Sequence, residues 1–412
     1  MPAFRRHLPL AIATALLVAI PASAQKSAVE TQVWIDVATH DLVGMPDMGP
    51  VSGIARAMTA RGRQRDYPQS RNIPADTGNV LDIAMHNTLR PGVAAEQLVP
   101  AGLGIGKSIP LLPPPPGERS EGGEDSTLPE IEVTLHQYWG CGATVRPGQP
   151  KTMTLRIKGG KVGVDGSLAR GQYVPDRDID SDPKYALWPN KKNGGRPSDG
   201  SSMVGEHRIT GPGVPESLVF KLGPEADFMP GIQLETRGDT SGSIMTSWQP
   251  VDRARAYFLQ AVAMQDEHNY VFWSSSEVPG AGFELVNYLT GSYIDKWLKQ
   301  KVLLAPATTS CAIPTGIFAA TKQSDEERGV AGLNMIAYGP ETNITWPPRP
   351  ADPKQPWDPE WNVRVRTKAT ATALLGVDFS GMDGGEVDGD REQPTPEEGK
   401  GKKLLRGLLR SF

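Results

Sequence analysis

The sequence predicts a mostly β protein with two β domains, the second a two-sheet sandwich, joined and followed by polar linkers. Three observations predict it. Gly and Pro, at 45 and 38 of 412 residues, are far above their usual share and favour short strands joined by many turns. Apolar residues alternate at period two in several short runs bounded by Gly or Pro clusters, the pattern of half-buried strands. Residues 243–262 read as two paired strands closing one side of a sandwich, and they are the clearest fold signal in the chain.

Residues 1–24 read as a secretory signal: Arg5 and Arg6, an apolar run at 8–20, and Ala22-Ser23-Ala24 before Gln25. About a dozen apolar residues fall short of the roughly 20 that span a bilayer. The expectation is a cleaved, exported chain of the periplasm or the extracellular space.

Residues 25–110 form an N-terminal region with short strands. A first strand is expected at 32–38, a short helix at 53–61, and a strand at 79–86, where Leu81, Ile83 and Met85 alternate with Asp82 and Ala84. Residues 111–129 hold four consecutive prolines and then a charged, Gly-rich run, the composition of a linker or large surface loop. Residues 130–237 form a β domain, with alternation at Ile131, Val133, Leu135, at Met153, Leu155, Ile157, and at Leu218, Phe220, Leu222. A polar insertion at 172–205 interrupts it.

Residues 238–347 carry the sandwich. Ile244, Thr246 and Trp248 alternate, Pro250 ends that strand, and Tyr257, Leu259 and Ala261 start the next. A Trp on one strand and a Tyr nine residues later, across a turn with Pro, resembles the B and C strands of a fibronectin type III domain. Residues 334–340 and 343–346 are similar to that fold's last two strands. The resemblance implies that Trp248 and Tyr257 are core residues filling the roughly 10 Å between two sheets. The chain departs from the pattern in having no Tyr near the start of the late strand and about 70 residues between the matching pieces. Immunoglobulin-like and jelly-roll sandwiches therefore stay open. Four further segments, 138–142, 254–260, 273–279 and 360–366, resemble those of uncharacterised secreted proteins of Gram-negative bacteria, a likeness that implies export and no activity.

Residues 348–377 return to a strand signal in which Val363 and Val365 alternate with Arg364 and Arg366. Residues 378–412 have the composition of a disordered acidic segment followed by a basic amphipathic tail. On a helix Leu404, Leu405, Leu408, Leu409 and Phe412 share one face, with Lys402, Arg406 and Arg410 beside them. Such a tail suits an envelope protein or an anionic membrane surface; the alternative is that it packs on its own chain.

The chemistry-bearing patterns are sparse. A formal charge of -4 gives no pull towards nucleic acid. Residues 101–108 match a phosphate-loop pattern with Ala101 for the first Gly, but Pro110 forbids the helix that must follow, so no nucleotide is expected. Asp176, Asp178, Asp180 and Asp182 alternate in the insertion and could surround Ca²⁺, although Ser181 and Leu187 replace the Gly and Glu of the full loop signature. The alternative is a solvated acidic loop and no cofactor. The histidines of the mature chain are too scattered for a transition-metal site, and no Cys-x-x-Cys occurs. His136, beside Tyr138, Trp139 and Cys141, is the one with interesting neighbours.

No Gly-x-Ser-x-Gly turn is present, and Ser274, Ser275, Ser276, Glu277 and His268 are near one another only in sequence. No catalytic residue is therefore assigned. Cys141 and Cys311, the only cysteines, could form one disulfide; a buried or nucleophilic thiol is the alternative. The functional expectation is an exported, non-catalytic periplasmic or envelope-associated binding or structural protein. A hydrolase of envelope polymers with its site between domains is the alternative.

Overall fold

The computed structural model describes residues 29–43, 66–71, 77–115, 130–171, 174, 177–266, 268–319, 331–352 and 354–376. The expected signal, the helix at 53–61, Asp176, the acidic segment and the tail from Leu404 to Phe412 lie outside them.

The described chain is mostly β, as its composition predicts. The strands in order are β1 (Thr31–Val43), β2 (Gly78–Asn87), β3 (Ala95–Leu98), β4 (Ser108–Leu111), β5 (Ile131–Trp139), β6 (Lys151–Lys158), β7 (Lys161–Gly166) and β8 (Tyr185–Trp188). They continue as β9 (Gly205–Thr210), β10 (Val219–Leu222), β11 (Leu234–Arg237), β12 (Ile244–Trp248), β13 (Ala256–Met264) and β14 (Asn269–Ser274). One helix, α1 (Gly291–Lys299), separates these from β15 (Ser310–Ile313), β16 (Ala331–Trp346) and β17 (Trp361–Leu375).

Ten strands form one sheet in the order β7-β6-β5-β14-β13-β16-β17-β1-β2-β8, drawing on every region that the composition separates. Two small sheets, β10-β9-β3-β4 and β11-β12-β15, pack on one of its faces. Beneath β11-β12-β15 lies a core with Trp248, Tyr257, Leu259, Trp273, Leu333 and Met335. Beneath β10-β9-β3-β4 lies another with Ile35, Ile83, Trp188, Phe220, Trp361 and Val363. On the opposite face α1 and the loop before it cover β13 and β16 through Phe258, Leu285, Trp297 and Tyr338.

The strands at 243–262 are not paired with each other, contrary to the sequence expectation. β12 bonds to β11 and β15, whereas β13 bonds to β14 and β16. Pro250 and the turn after it lift the chain from one sheet to the other. Trp248, 4% exposed, and Tyr257, fully buried, then meet edge to face across the core with ring centres 5.5 Å apart. The Tyr257 hydroxyl accepts the Val251 N–H of that connection at 2.9 Å.

β17 joins the two cores. Its odd residues face the small sheets, Trp361, Val363 and Val365 in one core and Ala369, Ala371 and Ala373 in the other. Its partner β16 slips register between Tyr338 and Glu341. Pro340 has no N–H to give the ladder, and a β-carbon at Gly339 would collide with Thr367 and Met229. The bulge reverses which residues face the core. Leu333, Met335 and Ala337 point to the small sheets before it, Ile344 after it.

Candidate functional site

Two polar features stand out from the cores: a buried ionic network on the α1 face and an open cleft on the small-sheet face. The network begins with register. Asp82 of β2, Asp36 of β1, Arg366 of β17 and Glu341 of β16 are successive neighbours across the sheet. Lys368 and Arg364 flank Arg366 on the same face. Residues 66–71, Asp178 and Tyr288 cover them.

Arg366 donates two hydrogen bonds to Asp36, at 2.7 and 2.6 Å, and one to Asp178 at 2.8 Å. Burial alone would raise the Asp36 carboxyl, yet Arg366, with Arg364 and Arg71 behind it, holds it below its ordinary value. The Asp82 carboxylate accepts the backbone N–H groups of Gln69 and Ser70. Burial still pushes it up to about 6, with Asp36 adding to the rise. Lys368 is fully buried and its Nζ has no hydrogen-bond partner among the described residues; it stands 4.6 Å from the Tyr288 ring centre. Burial lowers it to about 7 against the pull of Asp178 and Asp36. Next along β1, His40 Nδ1 lies 2.6 Å from Thr370 Oγ1, and burial followed by Lys368 and Arg196 keeps the ring well below its usual pKa.

Such perturbed groups often mark active sites, but ion pairs that hold structure perturb pKa values too. Asp36, Asp82, Arg366 and Lys368 are each under 4% exposed, so no substrate atom can reach them without the cover leaving. The chemistry this arrangement performs is to clamp β1, β2 and β17 to their covering segments.

The cleft lies between the two small sheets, where the end of β1 and the start of β2 emerge. Its volume is about 590 Å³, and Thr39, Asp41, Asn79, Asp199, Ser201 and Phe228 are among its walls. Its floor is fixed internally. Thr39 Oγ1 donates to the Met229 carbonyl at 2.7 Å, and Asn79 Nδ2 donates to the Ser198 carbonyl at 2.8 Å. The Arg253 side chain donates to the carbonyls of Pro224, Asp227 and Phe228, tying down one rim. Asp41 accepts the Ile232 N–H at 2.8 Å. Burial raises its carboxyl above the ordinary value, that hydrogen bond opposes the rise, and nearby Asp199 adds to it.

The residues singled out from sequence fall elsewhere. Cys141, just after β5, is bonded to Cys311 of β15, 170 residues away, joining the large sheet to the three-stranded one. Asp178 belongs to the ionic network, Asp180 is exposed near Arg71, and Asp182 accepts the Lys184 N–H. These three aspartates do not converge, and among the described residues no group of three His, Cys, Asp or Glu could hold a metal ion. His136 lies 3.2 Å from Asn269 Oδ1. Ser274, Ser275 and Ser276 are buried at the end of β14, while His268 stands before its start and bonds to the Glu132 carbonyl. Glu277 pairs with Arg146 instead. Residues 101–108 form a short turn entering β4.

Neither the network nor the cleft was anticipated from sequence. One signal was present: Asp36 interrupts Val33-Trp34-Ile35 and Val37-Ala38, a charge in an otherwise apolar run. No known protein family, curated protein or solved structure matches the chain, and no described helix is long and apolar enough to cross a membrane.

Proposed function

We propose that the protein is an exported, non-catalytic binding protein of the bacterial envelope and that the cleft between its small sheets is where it holds a polar ligand. The observation that carries this reading is the cleft itself. About 590 Å³ falls in the usual range of ligand pockets, roughly 300–1,000 Å³, and its walls supply hydroxyl, amide and carboxylate groups. The rim is held by side-chain bonds to backbone, so the cavity is preformed. Export rests on the basic and apolar pattern of residues 1–24.

The scaffold reading within this proposal is a fibronectin-III-like sandwich, expected at 238–347 and widened to 234–375: residues 334–340 and 343–346, expected as its last two strands, lie in the single strand β16, and β17 takes the last place. The strand order supports it: β11-β12-β15 faces β14-β13-β16-β17, the arrangement of a three-stranded sheet against a four-stranded one in that fold. Sandwiches of that kind commonly serve as binding or spacer modules, which is an argument from fold.

Capture of the mature protein by isolated envelope polymers tests the reading. Asp199→Lys, at an exposed wall of the cleft, should reduce capture at least tenfold and leave the melting temperature unchanged. Capture that persists undiminished would remove the cleft from the proposal. One observation favours hydrolysis as a second reading: Asp41, with its raised pKa, and Asp199 share the cleft, as an acid and a base would. Release of soluble fragments from those polymers, lost in Asp41→Asn, would replace the binding reading with that one.

A further inference from the structure

The two edges of the ten-stranded sheet are treated differently. β8 is short and buried, and Leu112 bridges to its Leu187. β7 is exposed along its whole length, has no proline, and ends the sheet without a described neighbour on its outer side. An open edge of this kind is a template for another strand.

Its geometry says which strand. The two-residue loop Gly159–Gly160 has positive φ at both positions, the hairpin turn that makes Lys158 and Lys161 a hydrogen-bonded pair. Residues then alternate, so Val162 and Val164 direct their N–H and C=O groups away from β6. A second β7 laid antiparallel about Gly163 satisfies those groups: Val162 meets Val164 of the second copy, and Val164 meets its Val162. In this register Lys161 stands opposite Asp165 of the second copy, twice over, with Gly163 facing Gly163 on the two-fold axis. Each pairing is complementary. Opposite charges meet, apolar groups meet, and the smallest residue sits where the strands are closest.

The surrounding sheet continues the match. Val162 and Val164, each 60% exposed, lie on the same face as Leu155 and Ile157 of β6 and Ile131 and Val133 of β5. In that apolar stripe Ile157 is buried and Leu155, Ile131 and Val133 are half-buried; it belongs to none of the described cores and ends at the exposed valines of β7. A second copy extends it across the axis. Among the described residues the Asp165 carboxylate makes one ion pair, 4.0 Å from Arg156, and it is exposed enough to reach outward.

We propose that β7 pairs with β7 of a second copy of this chain, in the register that places Lys161 against Asp165, and so joins two ten-stranded sheets into one. One strand pair with its flanking valines is a small interface, in the class of weak complexes. The dimer should therefore be concentration-dependent in sedimentation of the mature full chain over micromolar to hundreds of micromolar. Lys161→Asp should weaken it at least tenfold by setting like charges together, and the combination of Lys161→Asp with Asp165→Lys should restore it. Gly163→Cys gives a second test. A β-carbon there has room, its nearest contact being the Arg156 carbonyl at 3.9 Å. Both native cysteines are already bonded to each other. Under mild oxidation Gly163→Cys should form a covalent dimer, while Lys161→Cys, which does not face itself, should not. A chain that stays monomeric throughout that range, or that cross-links as readily through Lys161→Cys as through Gly163→Cys, overturns the proposal.

Discussion

Asp36 sits within the apolar run at 33–38 of β1, and its position decides much of the local chemistry. A buried carboxylate is tolerated only when paired, and the pair here, Arg366, comes from 330 residues away. Alternation at 361–368 makes the strand legible in the sequence. It does not say that Arg364 and Arg366 are buried, because only the parallel register of β1 with β17 sets Asp36 beside Arg366. Asp36→Ala should cost about 3–5 kcal/mol by leaving Arg366 uncompensated, whereas Asp36→Leu with Arg366→Met should cost less than either single change. Denaturant titration of the three variants checks this. Two neighbours predict a dependence on pH. Folded Asp82 keeps its proton up to about 6, against 3.8 as its ordinary value, so the folded state binds more protons in that window and stability falls as pH rises through it. Lys368 acts in the other direction. It loses its proton near 7 in the folded chain and near 10.5 otherwise, so stability climbs as pH rises between those values. His40, held neutral by burial, opposes Asp82 in acid, so the comparison must be with variants. Asp82→Asn should reduce the acid-side fall, to which the raised carboxyl of Asp41 also contributes, and Lys368→Met should remove the alkaline rise, in urea midpoints measured across the range. A Lys368→Met chain that still rises above pH 7 would show that the rise does not come from this lysine.

At the scale of elements, residues 243–262 show what sequence pattern reveals and what it hides. Alternation, Pro250 and the two aromatics identify both strands and place Trp248 and Tyr257 in the core. The pairing expected for them is wrong because alternation fixes which side chains share a face, not which strand lies alongside. Helix α1 carries only a short signal in the sequence: Tyr293, Ile294, Trp297 and Leu298 recur at helical spacing within nine residues. So short an amphipathic run, set among Gly-rich turns, has little propensity of its own and is ordered by packing on β13 and β16. The cleft has no sequence signal, since its walls come from strand ends and loops scattered from Thr39 to Arg253. Trp248 gives the test proper to this scale. Its ring fills the gap between β12 and β13, while its Nε1 has no hydrogen-bond partner among the described residues. Trp248→Ala should therefore cost about 3–5 kcal/mol, and Trp248→Phe, which keeps the edge-to-face contact, distinctly less. Equal losses for the two, measured by urea denaturation, would mean that the indole nitrogen and not the ring volume matters there.

Across the whole molecule, the division that composition suggests is bridged by two features. β17 runs through both cores, so neither small sheet keeps its packing surface if that strand leaves. The ionic clamp on its opposite face binds it to β1 and to Asp178. The second bridge is covalent. With the ends of a loop of 170 residues joined, the unfolded chain is restricted by about 5 kcal/mol in the loop-entropy account. Its anchor points are the end of β5 and β15, so it also fastens the three-stranded sheet to the far half of the large one. If β17 couples the cores, Trp188 and Trp361 on one side and Trp248 and Trp273 on the other report the same event. Fluorescence and far-ultraviolet dichroism should then trace one coincident unfolding curve. Reduction of Cys141–Cys311 should move that curve to lower denaturant by up to about 5 kcal/mol in stability without splitting it, because the shared strand survives reduction. Two separated transitions after reduction would mean that the disulfide, and not β17, makes the halves unfold together.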